Sequence, residues 1–347
     1  MINTKFFEDR EHIISISSRE KHIRNELKAI AKETGSVLIF DNLGSTFLHF
    51  ASKQENAKKL MISFPMDEYG YMVRSINEDG YISIVGVSNQ TSVNLLGKTM
   101  ILKTREGIQY EGYTTFKRLD LKESKEEELS IKEEECQVYF GFTSKEEAKS
   151  KGVNIGDAVV IKNVFHYLKP LVSARGLDVK TGLYTAYNLA HYLKGKDMGY
   201  DVYLGGIVQE KVAYRGSVSA TTTIQPDINI SLAFESETKA QKVGSGVFVK
   251  VFDKTTLPNQ EMFYFMKDTT SVHSFSSHYG TSASFIHKSL TGVPSLVIGI
   301  HGLNIGLNTM LFHEEDIECL SQVLIKFMDT LTKEKIIKFQ GQQEDEE

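Results

Sequence analysis

The sequence predicts an α/β fold with a helix–sheet–helix layering, into which a compact all-β segment is set. Two observations carry this. Short apolar runs alternate with amphipathic helical stretches in the outer parts of the chain, as layered α/β sandwiches require. Between about Tyr71 and Val164 the texture changes to brief β-like runs separated by glycine-containing turns.

In chain order, Ser18 to Thr34 places Ile23, Leu27 and Ile30 at helical spacing, with Ser18 as a possible N-cap and Gly35 as a stop. Ser36–Phe40, Ser45–Phe50 and Lys59–Phe64 are short, apolar and bounded by turn residues, and read as strands of one sheet. Within the β segment, Tyr81–Val85 and Lys98–Leu102 are expected strands, and the charged stretch Lys122–Glu135 is expected to be a solvated loop or helix end. After Pro170 the α/β pattern returns with a helix over about Val179–Lys194, whose Leu183, Tyr187, Ala190 and Leu193 share one face. Strands follow at Val202–Val208, Ile228–Phe234 and Val293–Ile300, with helices at about Ala283–Leu290 and Glu314–Thr332. Residues 1–70 and 165–340 are therefore expected to form one discontinuous domain, 71–164 an inserted β domain and 341–347 a frayed acidic tail.

The chain's 347 residues suffice for two cores. A net charge of −5 with dispersed basic residues argues against a nucleic-acid partner. The N-terminus lacks a signal-peptide pattern, and nothing approaches the ~18 apolar residues of a membrane span, so no membrane role and a cytoplasmic location are expected. Cys136 and Cys319 stand alone in sequence and predict neither a disulfide framework nor a thiolate zinc site.

The chemistry concentrates after the strand Val202–Val208, in Val208-Gln209-Glu210-Lys211-Val212-Ala213-Tyr214-Arg215-Gly216. Glu210 falls just past a strand's carboxyl end, where open α/β sheets keep their active sites. Two adjacent acids there could act as general base and metal ligand, but the second position holds Lys211. The run resembles the VQEEVGxRGA signature of the M42 family of di-zinc aminopeptidases, also called glutamyl or deblocking aminopeptidases. Five more stretches resemble that family in its order: Met66–Val73 (HxDEIGFMV), Tyr139–Ala148 with Lys151–Asp157 (DIGAxSxEEA…GIxxGD), Ala174–Gly182 (ARALDDRxG), Pro226–Ile230 (PDIAI), and Gly280–Ala283 with Thr291–Ser295 (GTDA…AGVPT).

The resemblance implies a three-layer peptidase-like α/β domain with a barrel-like β insertion, and two metal ions held by five side chains. Matched residue by residue, the bridging aspartate is retained as Asp178 and the general base as Glu210. The family's first histidine falls on Pro65, the glutamate ligand on Lys211, the aspartate ending the PDIAI strand on Ala233 and the final histidine on Gly306, while the Asp of GTDA is replaced by Ser282. Catalytic zinc needs about three protein ligands plus an open position, and an ammonium at the vacated position repels a divalent ion. The expectation is a frame that binds no metal, where active relatives carry a zinc or cobalt pair. In it a Lys211–Asp178 or Lys211–Glu210 ion pair balances the orphaned carboxylates.

Neither route to a rebuilt centre has the required pattern. His49, His273, His278 and His301 lack a second ligand at characteristic spacing and are expected to be surface or satisfied histidines. Thr281, Ser282 and Ser284 lack a nucleophile elbow. The Asp67-Glu68 pair reads as a turn at a domain junction. The expected function is that of a catalytically inactive, oligomeric homologue, dimer up to dodecamer as the resemblance implies, with a binding or regulatory role and a peptide in the residual cleft as candidate ligand. The alternative is an active metal-dependent aminopeptidase or hydrolase with a rebuilt or single-metal site.

Overall fold

The computed structural model describes residues 2–88, 95, 97–116, 136–267, 269–270, 272–275 and 280–341. The Lys122–Glu135 stretch, His278 and most of the acidic tail lie outside them.

Among the described residues an eleven-stranded sheet runs in the order Val37–Phe40, Thr46–Phe50, Asp201–Ile207, Lys59–Pro65, Ile228–Ser236, Ser295–Leu303, Met310–His313, Leu171–Ala174 and His166–Leu168, with Val247–Phe252 and Val272–Phe275 branching from Ser295–Leu303. Its centre is parallel: Lys59–Pro65 pairs with both Asp201–Ile207 and Ile228–Ser236, and the latter with Ser295–Leu303. Parallel strands are covered on both faces, and residue alternation shows how. Leu60, Ile62 and Phe64 enter one core with Ile23, Leu27, Leu183 and Leu320 from helices Lys21–Thr34, Leu177–Leu193 and Glu314–Thr330. Met61 points the other way, with Tyr203 and Ile207, onto Ala220, Ile224 and Ile286 of helices Gly216–Ile224 and Ala283–Ile286. The three-layer architecture is the one expected.

Six strands, Tyr71–Ile76, Ile82–Gly86, Thr99–Lys103, Gln109–Phe116, Cys136–Tyr139 and Ala158–Ile161, close into a barrel. Tyr71, Val73, Ile82, Ile84, Met100, Leu102, Val138 and Val159 fill it. Ala148, on the helix Lys145–Ser150, joins this core, and Ser144 caps that helix by accepting from the Glu147 amide.

Two boundaries differ from expectation. The first amphipathic helix starts at Lys21, and Ser18 is no cap: its φ is +68°, and its amide donates to the Glu20 carboxylate, which turns back from the helix start. Its other end matches, with Gly35 left-handed and its amide on the Ala31 carbonyl. The helix after Ser282 ends at Ile286 rather than near Leu290, which takes a left-handed φ of +58°.

Candidate functional site

The carboxyl ends of the parallel strands converge on one cavity of about 880 Å³. Pro65 closes the strand Lys59–Pro65, Glu210 and Lys211 follow Asp201–Ile207, and Ala233 lies within Ile228–Ser236. Asp178 enters from the first turn of helix Leu177–Leu193, and Ser282 and Gly306 complete the wall. Every position singled out by the family resemblance as retained or degenerate therefore lines a single space, although these residues come from six separate stretches of chain.

At its centre the Lys211 ammonium lies 2.6 Å from Asp178 Oδ2, and 4.8 Å above the Tyr69 ring. Asp178 is 2% exposed, and its other oxygen accepts the Val179 amide. Of the two pairings expected for Lys211, this is the one formed. Burial disfavours the Lys211 charge, but Asp178 and Asp67 outweigh it and hold its pKa above the ordinary lysine value. The lysine is a fixed cation.

Asp67 positions the segment that carries Lys211. Fully buried, it accepts the Glu210 and Lys211 amides at 2.9 Å each and the Ser17 hydroxyl at 2.5 Å. The neighbouring Gln209 amide donates to Glu20. These bonds hold a loop in which Gln209, Ala213 and Tyr214 all have positive φ, a conformation that costs side-chain-bearing residues energy and persists only when its surroundings fix it. Tyr214 closes the far side by donating to the Gly280 carbonyl at 2.5 Å. Glu68 accepts the Ser15 amide and pairs with Arg175 at 2.9 Å. Gly176, left-handed at φ +56°, links Arg175 to the helix that carries Asp178 at a point where an added Cβ would meet Glu68 Oε2 at 2.7 Å. Asp67 and Glu68 are thus buried acceptors that fix the site, which a reading as a junction turn missed. Their place before an aromatic-glycine pair, two residues after Pro65, was the available signal.

Glu210 is nearly buried, and its Oε1 has no hydrogen-bond partner. Burial, then the nearby Asp67 charge, raises its pKa to about 8 against a counter-effect from Lys211 and a Ser282 hydrogen bond. Glu20 is raised to about 7 by the same two leading causes.

Among the described residues, the candidate replacements do not assemble around this centre. His49 stacks on Tyr203 with centroids 4.3 Å apart and faces Asp201. His273 lies beside Phe263. His301 departs from expectation: it is neither on the surface nor satisfied, but 1% exposed with both ring nitrogens unpartnered. Thr281 donates to the Asp253 carboxylate and the Ser284 hydroxyl has no partner, so among the described residues neither is bonded to a histidine.

The donor set does not fit a pair of metal ions. Asp178 already receives an ammonium, and Pro65, Ala233 and Gly306 bring no side-chain donor. Among the described residues no three His, Cys, Asp or Glu side chains are grouped as a metal would need.

Fold and cavity together define an α/β protein of the peptidase type with an accessory β-barrel. The sequence model of the M42 glutamyl aminopeptidase family matches residues 44–323, and the chain belongs to that family. It is 27% identical to the glutamyl aminopeptidase of Lactococcus lactis over 95% of this chain and 96% of the relative. Its fold is that of a TET aminopeptidase from a marine-sediment thaumarchaeon, with a TM-score of 0.87 at 23% identity over 97% and 98% of the two chains. It also matches a Pyrococcus horikoshii TET1 peptidase that can assemble into a tetrahedron or a large octahedral shell, with a TM-score of 0.82 at 21% identity over 94% and 99%.

Proposed function

We propose that this chain is a non-hydrolytic M42 protein that binds ligands in its cavity and works as a homo-oligomer. The Lys211–Asp178 ion pair carries the proposal. An ammonium 2.6 Å from the retained aspartate occupies its outward oxygen and adds a positive charge where a divalent ion would have to enter. With Glu210 holding its proton near neutral pH, the group at the general-base position is also in the wrong protonation state to deprotonate water. A polar-centred cavity survives, and a short peptide is the ligand class its ancestry supports. Assembly is proposed from the likeness to a TET1 peptidase that forms closed shells. No helix among the described residues is long and apolar enough to cross a membrane. A cytoplasmic location is part of the proposal, and a chain with only two cysteines, 183 positions apart in sequence (136 and 319), agrees with it.

Elemental analysis of the purified protein, joined to an assay on peptides with acidic N-terminal residues under added Zn²⁺, Co²⁺ or Mn²⁺, tests the loss of catalysis. The expected result is sub-stoichiometric metal and no turnover. Tightly held stoichiometric metal with turnover that disappears in Glu210→Ala would establish the alternative, an active enzyme with a rebuilt site. Sedimentation velocity tests the assembly, which is expected to exceed a monomer.

A further inference from the structure

The barrel and the α/β domain meet along a short stretch of chain just before helix Lys21–Thr34. Ile14 and Ile16, both buried, pack onto Ala158 and Val160 of barrel strand Ala158–Ile161, with Met72, Val87 and Ile101 around them. The same stretch serves the cavity. Ser17 donates to Asp67, and Glu20, the residue before the helix, accepts the Gln209 amide. Val87 belongs to both regions, since it packs on this interface and also lines the cavity with Gly86 and Ser88. A change in how the barrel seats on Ile14 and Ile16 therefore reaches the cavity wall.

Polar contacts surround this apolar seam. Arg175 bridges it by donating to the Ile161 carbonyl of the barrel at 3.4 Å and to the Ile13 carbonyl at 2.6 Å. Arg19 donates to the Gly156 carbonyl at 3.0 Å. At the rim stands Lys103, two residues after Ile101 on strand Thr99–Lys103 and so on the same outer face of the barrel. Its ammonium lies 2.6 Å from Nε2 of His22, the second residue of the helix. Guanidinium groups do not titrate, so of these contacts the Lys103–His22 pair is the one that changes near neutral pH.

An ammonium can only donate, so His22 Nε2 supplies a lone pair and the ring is neutral, with its proton on Nδ1. Both side chains are half-buried. Burial, followed by the Lys103 charge, holds the His22 pKa below the ordinary histidine value. The other groups acting on the ring are His12 of the N-terminal segment and Lys21 and Glu26 of its own helix. Of all these, only Glu26 favours the charged ring, and it is already bound by Arg10 at 2.8 Å. Protonation of His22 removes the hydrogen bond and sets two cations against each other. A base whose pKa is depressed by folding stabilises the native contact above its unfolded value of about 6.5 and loses that contribution as the pH falls.

We infer that Lys103 and His22 form a pH-sensitive latch: protonation of His22 releases the barrel from the start of helix Lys21–Thr34 and loosens the cavity wall at Val87. The latch acts whether or not the cavity holds a peptide.

Hydrogen–deuterium exchange of the full-length protein at pH 7.5 and pH 5, with each rate divided by the intrinsic amide rate at that pH, tests it. A local readout is needed because Glu20 and Glu210, raised to about 7 and 8, drive global stability the other way over this range. Protection across residues 13–19 and 82–88 is expected to fall on the order of tenfold at the lower pH. His22→Gln keeps an acceptor for Lys103 and cannot take a proton, so its protection should agree at the two pH values to within about twofold. Lys103→Met removes the repelling charge and should lose the pH dependence in the same way; thermal melts at both pH values establish that each variant is folded. Equal wild-type protection at the two pH values, or a fall that persists in either folded variant, overturns the latch. A fall confined to residues 13–19 overturns its link to the cavity.

Discussion

Lys211 and Asp178 illustrate how far single residues can be read without coordinates. The sequence shows four of five ligand positions replaced, and charge balance predicts a lysine pairing with a stranded acid. It leaves two acids open, and geometry selects Asp178 because Asp67 pins the Glu210 and Lys211 amides and so sets where the lysine side chain emerges. Asp67 itself was illegible as a positioning residue, since its partners lie 50 and over 140 positions away. His301 failed for a related reason, because burial and missing partners are properties of the neighbours. The pairing has an energetic consequence. Lys211→Met leaves Asp178 buried and unpaired, and is expected to cost ~3–5 kcal/mol of unfolding free energy, whereas Asp178→Leu/Lys211→Met should recover most of the loss, because an apolar pair of similar volume carries no uncompensated charge. Urea denaturation of the wild type, both single variants and the double variant measures this. A Lys211→Met cost near zero would show that the pair is not buried enough to matter.

At the scale of elements, strong periodicity was legible and weak local signals were not. The helices Lys21–Thr34, Leu177–Leu193 and Glu314–Thr330 and the central strands emerge close to where apolar spacing places them. The helix Gly216–Ile224 does not, because its threonine-rich sequence has poor helix propensity. Thr221, Thr222 and Thr223 each bond back to the carbonyl four residues earlier, and tertiary packing of Ala220 and Ile224 holds the helix. The short strands Leu171–Ala174 and Met310–His313 pair with one another across some 140 residues, a contact no local pattern reports. Glycines mark where the central strands approach most closely. An added Cβ at Gly299 would lie 1.8 Å from the Ala233 carbonyl oxygen and 2.7 Å from the Phe248 ring. Backbone cannot yield as a flexible side chain can, so Gly299→Ala is expected to lose ~1–3 kcal/mol or more by overpacking and to disturb the cavity wall at Ala233. The check is a thermal melt beside Gly97→Ala, a glycine with open space around it but a left-handed φ of +62°, which reports backbone strain without a clash. A Gly299→Ala melt no lower than the control's would mean that the strands separate there without penalty.

For the whole molecule, the unusual quantity is the number of carboxyl groups buried near one cavity. Glu20 and Glu210 have pKa values of about 7 and 8 in place of 4.5, and Asp67 is raised as well, each first of all by burial. The unfolded chain releases the Glu20 and Glu210 protons near 4.5 and the folded protein only near 7 to 8, so across that window the native state binds more protons. Stability must then fall as pH rises. What these groups contribute is fully present below about pH 4.5 and lost progressively up to about pH 8. Lys180 then reverses the sign. Burial lowers its pKa from 10.5 to about 8, so above that pH the native state has already shed a proton that the unfolded chain still holds, and stability recovers toward pH 10.5. Unfolding free energy measured in steps from pH 5 to pH 10 should therefore pass through a minimum near pH 8, with Glu210→Gln and Glu20→Gln each flattening the acidic-side slope. A metal ion in the cavity would instead draw the carboxylates into their charged forms and make the protein more stable as they ionise. A profile that rises between pH 5 and pH 8 would thus count against both the buried-proton account and the metal-free reading of the site, through an observable independent of catalysis.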